Sequence, residues 1–221
     1  MSSAGQEASP SLRVSEIFAS LQGESTRAGL PTVFVRLTGC PLRCVWCDTE
    51  YAFRGGEVLD IPTVLDDVAA HALHYVCVTG GEPLAQTACP PLLAALCDAG
   101  YSVSLETGGA LDIGVVDARV SRVVDLKAPG SGEAERNRYE NFSCLNTRDE
   151  IKIVLADEAD YLWAKQQIAV HRLTECCPVL LSPVADRLDP AQLAEWIVRD
   201  RLPVRFQIQL HKVLWQDTRG R

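Results

Sequence analysis

The chain has 221 residues, 47% of them hydrophobic, with 29 acidic against 21 basic side chains and a formal net charge of −8. That is enough for one domain with a sizeable core, and no apolar run is long enough to cross a membrane as a helix. The acidic balance and scattered basic residues argue against a nucleic-acid groove and for a small-molecule substrate.

The opening stretch, MSSAGQEASPS, is small and polar and lacks the charged and apolar regions of a secretory signal. Residues 1–12 are expected to be a frayed tail and 13–221 a single core domain, in a cytoplasmic protein. Beyond the tail, β-branched apolar runs at 32–38, 75–80, 102–107, 121–127, 150–156, 178–184 and 204–210 predict strands. Helices are predicted between them. The one at 62–73 sets Leu65, Val68, Ala69 and Ala72 on one face; the one at 90–99 gathers Leu93, Leu96 and Cys97 and stops at Gly100. A third covers 157–170. The last, 190–199, has Asp189 as N-cap, Pro190 at its first position and Leu193, Trp196 and Ile197 at helical spacing. The Gly/Pro-rich stretch 128–143 reads as a loop over one end of the sheet. Strand–helix alternation implies βαβ units and a parallel sheet. A complete eight-fold barrel takes about 250 residues. The expected fold is therefore α/β, an incomplete and open (β/α) barrel.

Nine cysteines are present. An odd count in a reducing compartment argues against a disulfide framework. Cys77 and Cys97 sit in apolar runs and read as core; the Cys176–Cys177 pair reads as incidental. Three others fall within eight residues of the stretch TGCPLRCVWCDTEYAF: Cys40, Cys44 and Cys47. They directly follow a predicted strand, at the end where parallel α/β folds place active sites. A structural zinc needs four closed ligands, usually as two knuckles. No second CxxC or HxxxH exists, and His71, His74, His171 and His211 are dispersed. A distant cysteine could still complete a zinc site, so a non-catalytic zinc module remains as one reading. The other reading leaves the fourth position open: a [4Fe–4S] cluster usually takes four cysteines, and three would leave one iron free to bind a small molecule.

The spacing Cys40-x3-Cys44-x2-Cys47, with Trp46 before the third cysteine and VTGGEP at 78–83, resembles the radical S-adenosylmethionine superfamily. In that superfamily the open iron chelates the cofactor's amino and carboxylate groups, and a 5′-deoxyadenosyl radical is formed. A glycyl-radical activase would share these motifs. Further stretches are similar to one family within it, the 7-carboxy-7-deazaguanine synthases of queuosine biosynthesis: SEIFASLQGES, CDTEYAF, LETGG, VVDLKAPGSGE and QLHKVLW. The resemblance covers nearly the whole chain after the first dozen residues. It implies a shortened, modified partial TIM barrel of the radical SAM type, usually a homodimer. It also implies conversion of 6-carboxy-5,6,7,8-tetrahydropterin to 7-carboxy-7-deazaguanine with loss of ammonia, assisted by Mg2+ and by a reductant such as flavodoxin or ferredoxin.

The same resemblance assigns residues. Cys40, Cys44 and Cys47 would hold the cluster and Thr49 the magnesium ion. Trp46, Cys47, Asp48, Gly80, Gly81, Glu82, Asp125, Leu126 and Lys127 would contact S-adenosylmethionine. Leu21, Gln22, Gly23, Arg36 and Thr79 would contact the pterin. Arg36 carries an independent argument: between Val35 and Leu37 in an apolar strand, it must face away from the core, into a barrel interior or to solvent. Glu106 reads equally as a site residue or a solvent-facing strand residue, and His211 and Trp215 as a site cover or terminal packing. The tail QDTRGR runs on differently from the family's and receives no role.

Overall fold

The computed structural model describes residues 10–216 and 218–220. Nine strands form one sheet: β1 (Ser11–Leu21), β2 (Pro31–Leu37), β3 (Glu57–Asp60), β4 (Tyr75–Gly80), β5 (Ser102–Thr107), β6 (Ser121–Asp125), β7 (Glu150–Leu155), β8 (Val179–Pro183) and β9 (Arg205–Phe206). Their spatial order is β3-β1-β2-β4-β5-β6-β7-β8-β9. From β2 to β9 neighbouring strands run parallel, while β1 pairs antiparallel with both β2 and β3. The sheet does not close; it is an incomplete (β/α) barrel whose first rung is antiparallel.

Helices α1 (Ile61–Ala70), α2 (Cys89–Asp98), α3 (Glu158–Val170), α4 (Leu173–Cys176), α5 (Pro190–Asp200) and α6 (Leu210–Trp215) fill the connections. Strand periodicity sorts the β2 side chains. Val33, Val35 and Leu37 join the core beside Val64, Val68, Leu92 and Leu96, whereas Phe34 and Arg36 face the barrel interior. A second core gathers Ile151, Ile153 and Leu155 of β7 with Tyr161, Ala164 and Ile168 of α3 and Leu193 and Trp196 of α5.

The helix ends follow local chemistry. The Asp60, Asp157 and Asp189 side chains accept backbone N–H bonds at the starts of α1, α3 and α5. At the end of α2, Gly100 adopts φ +88°, and the N–H groups of Gly100 and Tyr101 return to the carbonyls of Cys97 and Leu96. A Cβ at Gly100 would meet nothing within 4 Å, so Gly100→Ala carries only the backbone penalty. It should cost about 1 kcal/mol, read as a lower urea midpoint with unchanged slope.

Two sequence expectations change and a third is refined. β1 starts at Ser11, so Ser11 and the buried Leu12, expected in the tail, belong to the sheet; residues 1–9 lie outside those described. The strand expected at 204–210 shrinks to Arg205–Phe206. There the Gln207 side chain pairs with the backbone N–H and C=O of Ser25, and the Leu210 N–H donates to Gly23 O. These contacts pull the chain off the sheet edge and into α6. The stretch 128–143 contains three short 3-10 turns, Pro129–Ser131, Ala134–Arg136 and Tyr139–Cys144.

Candidate active site

A row of inward side chains crosses the sheet because register places them side by side. Glu16 of β1 lies opposite Arg36 of β2, which lies opposite Thr79 of β4; farther along, Asp125 of β6 lies opposite Lys152 of β7. Arg36, Thr79, Asp125 and Lys152 line a cavity of about 350 Å³; Glu16 is not part of its lining and reaches it only through its bond to Arg36.

At one wall stands the cysteine loop that follows β2. Arg43 clamps it from within, donating to Cys40 O (2.7 Å) and Leu42 O (2.6 Å). The 128–143 segment holds it from outside: Arg43 N donates to Glu133 Oε1 at 2.6 Å, and Val45 N to Ser131 O at 3.0 Å. Cys40, Cys44 and Cys47 all face the cavity, half-buried and unpaired. Burial pushes the three thiols above their ordinary value, while the Lys127 ammonium pulls Cys40 and Cys44 the other way. Among the described residues no three His, Cys, Asp or Glu side chains converge on a single-ion position.

The glycine turn after β4 braces this loop. Gly81 N donates to Leu37 O (3.1 Å) and Glu82 N to Gly39 O (2.7 Å). A Cβ at Gly81 would collide with the Gly39 carbonyl and press on Cys40 Cβ. Gly81→Ala should therefore displace the cysteine loop, lowering iron incorporation and turnover together while the far half of the sheet keeps its fold. Iron content and the far-ultraviolet spectrum of the same preparation check this.

Beneath the cysteines, buried charges alternate. Lys152 Nζ meets Glu24 Oε2 at 2.6 Å and Asp125 Oδ2 at 3.4 Å, and Lys127 Nζ meets Asp125 Oδ2 at 3.1 Å. Burial opposes the Asp125 carboxylate, but Lys127 and Lys152 outweigh it and hold it below its ordinary value. Burial likewise opposes the Lys152 ammonium, and Glu24 and Asp125 keep it charged. Glu24 Oε1 and Asp125 Oδ1 are buried without a hydrogen-bond partner among the described residues. Orphan acceptors of this kind call for a donor from a bound ligand or water. Next to them, Gln22 Nε2 donates to Glu106 Oε1 (3.1 Å) and Thr79 Oγ1 to Glu106 Oε2 (2.9 Å).

At the opposite end Phe18 and Phe34 stack at 5.1 Å, and Arg36 lies 5.7 Å from the Phe18 ring. Arg36 Nε donates to Glu16 Oε1 at 2.8 Å, as does the Tyr51 hydroxyl. Burial raises the Glu16 carboxyl, but these donors overcome it and set it below its ordinary value. Burial and that ionised neighbour push the Tyr51 hydroxyl up to about 12.

Most residues marked from the sequence meet here: Leu21, Gln22, Gly23, Arg36, Cys40, Cys44, Trp46, Cys47, Asp48, Thr49, Thr79, Gly80, Gly81, Asp125 and Lys127 line the cavity. Thr49 Oγ1 donates to Asp48 Oδ1 at 2.7 Å. Two do not. Glu82 is fully buried and turned into the protein; its carboxylate accepts from Thr107 Oγ1, Gly108 N and Leu84 N, so it holds the turn. Leu126 faces the second core. Lys152, Glu24, Glu16 and Tyr51 went unmarked. Lys152 carries the same signal as Arg36, a charge between Ile151 and Ile153 in an apolar strand.

Residues 34–126 match the model of the Radical SAM superfamily. A curated protein of Chlorobaculum tepidum named 7-carboxy-7-deazaguanine synthase is 51% identical over 95% of this chain and 97% of its own length. The chain belongs to the 7-carboxy-7-deazaguanine synthase family. A synthase of that name from Koribacter versatilis is 39% identical over 95% of this chain and 100% of its own. The crystal structure of QueE from Escherichia coli shares the fold, with a TM-score of 0.75 at 23% identity, covering 91% of this chain and 95% of the other. The family implies a [4Fe–4S] cluster and S-adenosylmethionine. The residues present fit both: three thiols on one braced loop, a glycine turn without room for a side chain beside them, and unpartnered buried acceptors below.

Proposed function

We propose that the chain converts 6-carboxy-5,6,7,8-tetrahydropterin to 7-carboxy-7-deazaguanine with loss of ammonia, in queuosine precursor biosynthesis. The observation that carries this reading is the coincidence, in one cavity, of the three-cysteine loop with an interior row of hydrogen-bonding and charged side chains. Cluster and cofactor, when bound, supply a 5′-deoxyadenosyl radical that removes a hydrogen atom from the substrate.

The chain's own residues do the rest. Cys40, Cys44 and Cys47 hold the cluster. Gly80 and Gly81 bring backbone within reach of S-adenosylmethionine, with Trp46, Asp48, Asp125 and Lys127 around it. Leu21, Gln22, Gly23 and Thr79 take the pterin's donor–acceptor edge; Gln22 and Thr79 are pre-oriented by Glu106. Arg36 takes the substrate carboxylate. Thr49 is a hard oxygen donor for magnesium, with substrate and water completing the shell. The reductant is a flavodoxin or ferredoxin, and the protein works in the cytoplasm. Apolar surface at Phe206, Ile208, Val213 and Leu214 supports a homodimer.

The test is anaerobic turnover of the reconstituted protein with S-adenosylmethionine, reductant, magnesium and the carboxylated tetrahydropterin, with products read by mass spectrometry. The expected product is 7-carboxy-7-deazaguanine with the cofactor regenerated. Release of 5′-deoxyadenosine alone would keep the cluster and overturn the substrate. A zinc-bound, sulfide-free protein with no turnover would overturn the radical reading.

A further inference from the structure

The segment 218–220 returns to the cavity mouth, where Thr218, Arg219 and Gly220 join its lining. Arg219 is fixed there twice. Its Nε donates to Glu16 Oε2 at 3.2 Å, and its guanidinium lies 4.3 Å from the centre of the Tyr51 ring. Glu16 thus stands between two arginines, with Arg36 Nε on Oε1 and Arg219 Nε on Oε2. Neither guanidinium makes another hydrogen bond among the described residues, so the terminal N–H groups of both remain open.

The charges at this end decide what it can bind. Arg36 and Glu16 are both about 15% exposed and form a one-to-one ion pair. Alone they are neutral, and an anion approaching Arg36 meets the Glu16 carboxylate as well. Arg219 adds a second positive charge against the same single carboxylate, so the trio carries one net positive charge. Its side chain is 57% exposed, and the Glu16 and Tyr51 contacts hold it at the mouth with its terminal N–H groups unpaired among the described residues. Aromatic rings from Phe18, Phe34 and Tyr51 wall the same end and sharpen the field.

We infer that Arg219 is a substrate-binding residue that grips the substrate carboxylate together with Arg36, from a terminal segment to which the sequence assigns no role. The inference rests on the functional reading above for the identity of the carboxylate. It also explains Glu16, which spaces the two guanidinium groups and keeps both at the mouth.

The test is equilibrium binding to the cluster-loaded enzyme with S-adenosylmethionine, under anaerobic conditions. Two ligands are compared, 6-carboxy-tetrahydropterin and its neutral 6-carboxamide. Arg219→Gln should weaken the carboxylate about tenfold and the amide less than twofold, and Arg219→Lys should recover part of the difference. Equal weakening of both ligands would make Arg219 a mere latch on the terminal segment and overturn the inference. So would no weakening of either. A wild-type enzyme that binds the acid no better than the amide also overturns it, while the functional reading is judged separately, on formation of product.

Discussion

Cys44→Ala yields a folded protein that holds no stable four-iron cluster and forms no product. The fold survives because the loop is held by bonds that alanine keeps: Cys47 N to Cys44 O, Val45 N to Ser131 O, and the Arg43 clamp on Cys40 O and Leu42 O. The cluster does not survive, because two thiolates are left for four irons. Removing groups that only orient metal ligands typically costs 10–100-fold, so loss of a ligand itself should exceed about 100-fold in turnover. Iron and sulfide per chain, taken with the thermal midpoint of the metal-free protein, separate this from unfolding. Cys176→Ser, at a cysteine outside the cavity, should leave both iron content and turnover unchanged. Full iron content and turnover in Cys44→Ala would mean that the cluster is anchored elsewhere.

For two interior strands the sequence predicts both ends. The runs at 75–80 and 102–107 coincide with β4 and β5, interior strands with four of six residues buried in each. β1 escaped because its pattern is broken. A register shift between Val14 and Glu16 interrupts its alternation, and beyond it Phe18 lines the cavity while Glu16 pairs with Arg36, so neither joins a core. β9 was overpredicted for a related reason. Alternating residues at 204–210 satisfy the strand rule locally, while contacts with Ser25 and Gly23, about 180 residues away in sequence, redirect the chain. The site divides along the same line. A motif identifies which loop carries the cysteines and glycines. It does not say which way a side chain turns, and Glu82, inside the most recognisable glycine motif, turns inward to Thr107 and Gly108. Nor does a motif report partners from distant strands, which is why the Glu24–Lys152–Asp125 series and the Glu16–Arg219 contact emerge only from the fold.

Asp149→Asn destabilises the protein more than any single surface change, by about 3–5 kcal/mol. Asp149 is fully buried and Arg122 nearly so. The carboxylate accepts from Arg122 Nε, from an Arg122 terminal nitrogen at 2.6 Å, and from the backbone N–H groups of Arg122 and Asn146. The same guanidinium donates to Cys144 O at 2.6 Å, tying the 3-10 segment 139–144 to the sheet. The pair joins the first turn of β6 to the approach of β7, at the end of the strands away from the cysteine loop, where a barrel's side chains serve stability. An amide in place of the carboxylate leaves a buried guanidinium without its counter-charge, and its N–H₂ faces donors that need an acceptor. Arg122→Met combined with Asp149→Asn removes the uncompensated charge and keeps one amide oxygen for a backbone N–H. It should recover part of the loss, but not all, because the backbone N–H of Asn146 or of position 122 still loses its acceptor. Urea unfolding of the metal-free proteins measures both. A single variant within about 0.5 kcal/mol of wild type would show that solvent reaches this pair. The effect would then be electrostatic screening at a surface rather than an ion pair that locks β6 to β7 and, through them, Asp125 to Lys152.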